Sequence, residues 1–139
     1  MNAELVDAPS NGSVRGPIRV LVVEDDPVVR RLIRIRLSRA GLAVIPVNNG
    51  EEAIAAAETG DLPIHVVVTD GVMPGSDGFE LARYFSRCHP NVRVILVSGY
   101  LSHFISRDDI PENIGGFFGK PFSGDELVAK VFELVRVVV

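Results

Sequence analysis

Strict alternation of short apolar runs with capped helical stretches decides what this chain can fold into. The runs are Ile18–Val23, Leu42–Val47, Ile64–Thr69 and Val92–Val97, with a weaker one at Gly116–Gly119. They are β-branched and nearly continuous, the pattern of strands buried on both faces. Between them lie helical stretches over about 27–40, 50–59, 78–88 and 123–136. Each has a start signal: Asp26 before Pro27, Asn49 three before Glu52, Asp77 three before Glu80, and Ser123 three before Glu126. A short polar side chain at these positions accepts from orphan backbone N–H groups of the first turn, and proline suits the first helical position. The segment 101–110 is weaker. It holds Leu101, Phe104, Ile105 and Ile110 before Pro111, which predicts a short or irregular helix.

Five strands alternating with five helices predict an α/β fold, a doubly wound parallel sheet covered by helices on both faces. Pro46 lies in the second strand. Proline cannot donate to a ladder, so this strand belongs at an edge, as in the flavodoxin-like order 2-1-3-4-5. Residues 1–16 have little apolar periodicity and read as a flexible tail or linker, which leaves 17–139 as one domain.

With 139 residues and 47% hydrophobic content the chain can bury a core without metal or disulfide staples. Its 14 basic and 18 acidic residues give a net charge of −4, which argues against direct nucleic-acid binding. The longest hydrophobic run is the five residues Ala53–Ala57, so no membrane span is expected. Cys88 is the only cysteine, no secretory signal is visible, and a reducing cytoplasmic location follows as the expectation. Cys88 itself is expected to be a buried small hydrophobe. His65, His89 and His103 lack metal-ligand spacing and read as structural or solvated.

Ligands of such sheets bind beyond the carboxyl ends of the strands. The first strand ends in Glu24-Asp25-Asp26, the third in Thr69-Asp70, the fourth in Ser98, and the last runs into Lys120-Pro121. Clustered carboxylates repel one another, and a hard cation bound by oxygen, such as Mg²⁺, relieves that repulsion. Lys120 adds a fixed positive charge and Ser98 a hydroxyl. Together they suit a tetrahedral anion beside an aspartate, that is, phosphoryl chemistry. Asp26 is better placed as the cap of the first helix than as a metal ligand.

The segments Val22-Val23-Glu24-Asp25-Asp26-Pro27, Val67-Val68-Thr69-Asp70-Gly71-Val72-Met73-Pro74-Gly75, Val97-Ser98-Gly99-Tyr100 and Phe117-Phe118-Gly119-Lys120-Pro121-Phe122 occur in that order. In these motifs the chain resembles the CheY-like receiver domain of response regulators in two-component and phosphorelay signal transduction. The resemblance covers about 18–136. It implies that Asp70 is the phosphoacceptor, receiving a phosphoryl group from a phosphohistidine on a histidine kinase or histidine phosphotransfer protein. It further implies Mg²⁺ held by Glu24, Asp25, Asp70 and the main-chain carbonyl of Val72. Lys120 and Ser98 would contact phosphoryl oxygens. Ser98 and Phe117 would act as the switch that reshapes the surface of the fourth helix, fifth strand and fifth helix. A cis Lys120–Pro121 bond is expected on the same ground. Gly71 departs from the family pattern.

The expectation is therefore a phosphoprotein of signal transduction rather than an enzyme, with only intrinsic self-phosphorylation and self-dephosphorylation. Val72, two residues after Asp70, is not the acid that an aspartyl phosphohydrolase uses as general acid there. Glu24-Asp25-Asp26 would repel the phosphate of a flavodoxin-like cofactor. The alternatives are a receiver fragment of a hybrid histidine kinase and a phosphorylation-independent pseudo-receiver that only binds partners. The downstream effector is unknown, and apolar Val137–Val139 read as packing on the fifth helix, as a homodimer contact or as the lead into a further segment. The first helix carries Arg30, Arg31, Arg34, Arg36 and Arg39 with no acid among them. They read either as a solvated face or as a docking surface for an acidic phosphodonor helix.

Overall fold

The computed structural model describes residues 16–137. The readings placed on the tail before Gly16 and on the side chains of Val137–Val139 lie outside the described residues. The order of elements is β1 (Arg19–Val23), α1 (Pro27–Arg39), β2 (Ala43–Val47), α2 (Gly50–Thr59), β3 (Val66–Asp70), β4 (Val72–Met73), β5 (Ser76–Asp77), α3 (Gly78–Cys88), β6 (Arg93–Ser98), α4 (Leu101–Ile105), β7 (Ile114–Gly119) and α5 (Gly124–Val137). Five strands form one parallel sheet in the order β2-β1-β3-β6-β7. This is the flavodoxin-like order, with β6 and β7 as the fourth and fifth strands. Pro46 pairs with Val22 in the edge strand β2, where its missing N–H costs the ladder nothing.

Each central strand sends alternate residues to opposite faces. Val20, Val22, Val66, Val68, Ile95 and Val97 pack with Ile33 and Leu37 of α1 and Leu127, Val131 and Leu134 of α5. Leu21, Val23, Val67 and Val94 pack with Ala53 of α2 and Leu81, Ala82 and Phe85 of α3. A fully buried side chain of this kind contributes about 1.5–3 kcal/mol, so the two layers supply most of the drive to fold. A smaller cluster of Phe79, Leu96 and Phe104, flanked by Ile114 and Phe117, sits under α4.

The caps follow the sequence. Asp26 accepts from the N–H groups of Val28 and Val29, Asn49 accepts from Glu52, and Asp77 with Glu80 forms a reciprocal capping box. At α5 the Ser123 hydroxyl accepts from the Glu126 N–H at 3.2 Å. Strand limits move by a residue or two, and β7 begins at Ile114, earlier than expected. α4 spans only Leu101–Ile105: Tyr100 offers no side-chain cap at its start, and beyond its end Arg107 bonds Asp109. The guanidinium of Arg107 also lies 4.5 Å from the Phe79 ring centroid. One expectation fails: Cys88 is exposed. It is the last residue of α3, past the end of the stripe that Leu81 and Phe85 bury.

The short antiparallel ladder of β4 and β5 was not anticipated. Pro74-Gly75 makes the turn, with Gly75 at φ 78, a left-handed conformation that glycine adopts without strain.

Candidate functional site

β1 and β3 run side by side, with Val23 paired to Thr69, so the residues that follow them emerge together at one sheet edge. Oxygens of Glu24, Asp25 and Asp70 all lie within 4.8 Å of one another. Glu24 and Asp70 are buried and Asp25 is exposed, which gives the cluster one open side. Three carboxylates at this spacing form an all-oxygen donor set of the kind a small, hard divalent cation takes, so these residues fit Mg²⁺.

Lys120 reaches the cluster from the end of β7. Its Nζ donates to Glu24 Oε1 at 2.8 Å and to Asp70 Oδ2 at 3.2 Å. Burial alone would depress the lysine pKa, but the hydrogen bond to Glu24 and the charge of Asp70 outweigh it and hold the pKa above its ordinary value. Glu24 moves the other way in charge terms. Its burial raises the carboxyl pKa despite the bond to Lys120. The pair is unequal because Glu24 is only 2% exposed while Lys120 keeps a quarter of its side chain in water. Lys120 is therefore firmly charged and Glu24 is the strained partner. The Lys120–Pro121 peptide is cis, as expected.

Asp70 Oδ1 accepts from the Val72 N–H at 3.3 Å, and the Gly71 N–H donates to Val97 O at 2.9 Å. Ser98 is buried at the end of β6, one residue beyond the register partner of Asp70. Its Oγ accepts from the Tyr100 N–H at 2.9 Å, and its carbonyl accepts from the Lys120 N–H at 2.9 Å. Phe117 is half-buried against the cluster of Phe79, Leu96 and Phe104. The structure thus brings Glu24, Asp25, Asp70 and Lys120 together. Ser98 stands on the adjoining strand with its hydroxyl turned to its own loop. Asp26 is taken up by capping, and the Val72 N–H is taken up by Asp70.

Two of the five helical arginines are tied to other parts of the chain. Arg36 pairs with Asp125 of α5, and Arg30 Nη1 donates to the backbone carbonyl of Glu24 at 2.9 Å. The second bond gives Arg30 a place at the site that reading all five as one face had missed. Spacing gives no signal for it, since Arg31 also sits about one turn into α1. Arg31, Arg34 and Arg39 are exposed. Beside Lys120 lies a groove of about 450 Å³ lined by Val29, Leu32, Ile33, Phe122 and Leu127. His65 is structural: its Nδ1 accepts from the Arg19 N–H at 2.9 Å. Among the described residues no helix is long and apolar enough to cross a membrane.

The family model described as "Response regulator receiver domain" matches residues 20–132. The chain is 36% identical over 127 residues to the transcriptional regulatory protein AruR of Pseudomonas aeruginosa, covering 85% of this chain and 49% of that protein. It is 35% identical over 121 residues to the sensor kinase CckA of Brucella abortus, covering 87% of this chain but 13% of the kinase. The chain thus spans half or less of the length of these two relatives. Among solved structures it is similar to the response regulator protein TrrA of Thermotoga maritima in complex with Mg²⁺ and BeF. That match has 33% identity and a TM-score of 0.75, covering 84% of this chain and 98% of TrrA.

Proposed function

Because this chain belongs to the response regulator receiver domain family, we propose that Asp70 accepts a phosphoryl group from a phosphohistidine on a histidine kinase or histidine phosphotransfer protein. One observation carries this reading. Lys120 bridges two buried carboxylates at an edge where a third carboxylate stays open to water. A lysine serving only to neutralise acids needs no open neighbour, whereas phosphoryl transfer needs both an anchored nucleophile and an entry side.

In the proposed reaction an oxygen of Asp70 forms the new P–O bond as the donor's P–N bond breaks, giving an acyl phosphate and free imidazole. The Val72 N–H and the Lys120 ammonium orient the attacking carboxylate. Transfer through a loose transition state depends mainly on such positioning and on charge stabilisation. Glu24, Asp25, Asp70 and the Val72 carbonyl would hold Mg²⁺, which when bound offsets negative charge on the phosphoryl oxygens. Lys120 exchanges part of its bond to Asp70 for a phosphoryl oxygen. The Ser98 hydroxyl releases the Tyr100 N–H and turns to another phosphoryl oxygen. Phe117 follows it and alters the surface of α4, β7 and α5, the device that carries the signal to an effector. The groove beside Lys120, on the helix that exposes Arg31 and Arg34, suits an acidic helix of the phosphodonor. Charge reversal at both arginines should slow transfer from a protein donor and spare transfer from a small-molecule donor.

Intact-mass measurement after incubation with a small-molecule phosphodonor tests the chemistry. The wild type is expected to gain a single phosphoryl adduct that needs Mg²⁺, and Asp70→Asn to gain none. An adduct unaffected by the substitution would overturn Asp70 as the acceptor, and no adduct with Mg²⁺ present would overturn the reading and favour a module that only binds partners.

A further inference from the structure

The acidic turn after β1 is held from three sides. The Glu24 N–H donates to Val47 O at 3.2 Å, and the Asp26 N–H donates to Glu24 Oε2 at 3.1 Å. The third tie is Arg30, whose Nη1 holds the Glu24 carbonyl from one turn into α1. That carbonyl belongs to the peptide unit joining Glu24 to Asp25. Fixing its plane sets the direction in which the Asp25 side chain leaves the backbone. Asp25 has most need of such help, because it is exposed and no side-chain hydrogen bond among the described residues fixes its carboxylate. The tie is selective: Arg31, next along the same helix and equally charged, is exposed and makes no such bond.

We propose that Arg30 is a positioning residue for cation binding: its clamp on the Glu24 carbonyl presets Asp25 and Glu24 in the geometry that Mg²⁺ takes. This rests on the reading of Glu24, Asp25 and Asp70 as Mg²⁺ ligands. Charge alone predicts the opposite of the clamp. A guanidinium near a divalent-cation site repels the ion, so its removal should tighten binding. Loss of a partner that orients ligands should weaken binding, typically by 10- to 100-fold. The sign of the change separates the two.

The experiment is a titration of the full chain with MgCl₂ alone, at constant ionic strength, following backbone amide resonances of residues 24, 25 and 70. Wild type is compared with Arg30→Met and with Arg31→Met, which removes the same charge without touching the clamp. Arg30→Met is expected to weaken Mg²⁺ binding about tenfold, with Arg31→Met unchanged or slightly tighter. Before any metal is added, the Asp25 amide resonance should shift in Arg30→Met and not in Arg31→Met, because that amide belongs to the clamped peptide unit. A general loosening of the fold would not confine the shift to that unit. Equal or tighter Mg²⁺ binding in Arg30→Met relative to Arg31→Met overturns the clamp while leaving the metal site standing. A wild type whose amides do not respond to Mg²⁺ takes down the metal reading and the clamp with it.

Discussion

The centre of the sheet and its β7 edge are built differently. β3 is buried at every residue from Val66 to Asp70, while every residue of β7 from Ile114 to Gly119 is only half-buried. α3 has eleven residues and a reciprocal capping box; α4 has five and no side-chain cap. β7 also contains Gly115 and Gly116, which give its face no side chain to pack. Asp70 and the acidic cluster stand at the densely packed centre, Lys120 and Phe117 on the sparser β7 edge, and Ser98 at the end of the strand between them. Under the proposed function this sets an anchored nucleophile beside a less densely packed edge, the division of labour that a phosphorylation switch requires. A site built wholly on dense packing would have little that could move.

The comparison predicts unequal costs of truncation, and the largest effect should be in the dense half. Phe85→Ala removes a fully buried ring from α3 and should cost about 3–5 kcal/mol. Ile105→Ala in α4, where the side chain is half exposed, should stay within about 0.5 kcal/mol. Urea unfolding measures both, and similar costs would erase the distinction.

An intermediate effect is expected where the halves meet. A Cβ at Gly71 would stand 2.6 Å from Phe104 Cε2 and 3.1 Å from Leu96 Cδ2. Phe104 of α4 thus occupies the space that a side chain next to Asp70 would fill. Gly71→Ala should cost about 1–3 kcal/mol by overpacking. Repeating it in a Phe104→Ala background should remove most of that penalty. A penalty that persists would show that α4 is not what excludes the methyl group.

The smallest effect concerns pH. Burial and the charge of Arg19 hold the His65 pKa below its ordinary 6.5. A group with a lowered folded pKa contributes stability above its unfolded pKa and loses it as pH falls toward the folded value. Wild type should therefore lose urea resistance from about pH 7.5 to about pH 6. His65→Gln should lose less over that window. Glu24, with its raised pKa, acts in the opposite sense, so the difference between the two proteins is the quantity to read.

Much of this was legible in the sequence, and for physical reasons. Local chemistry governs the caps at Asp26, Asn49 and Asp77, and Pro46 can only sit where its missing donor is not needed. The convergence of Glu24, Asp25, Asp70 and Lys120 follows from parallel strands ending at one edge. What stayed hidden depends on long-range contacts. Beyond the early end of α4, Arg107 turns onto Phe79 and Asp109, contacts that no local pattern signals. Cys88 is exposed because it is the last residue of α3, beyond the buried stripe that ends at Phe85. Arg30 and Arg31 have the same residue type and neighbouring positions, and only the path of the loop before α1 tells them apart. Gly71 stood out as a departure, but its partner Phe104 lies 33 residues away, and no local pattern links the two.

The central claim is that phosphorylation of Asp70 moves the sparse half and leaves the dense half in place. Amide hydrogen exchange, measured with and without a phosphodonor in the presence of Mg²⁺, tests it most directly. The account predicts altered protection across 98–120 and little change in β1, β3 and α3 beyond the site itself. Changes spread evenly over both halves would contradict the division, and no change anywhere would contradict the acceptor.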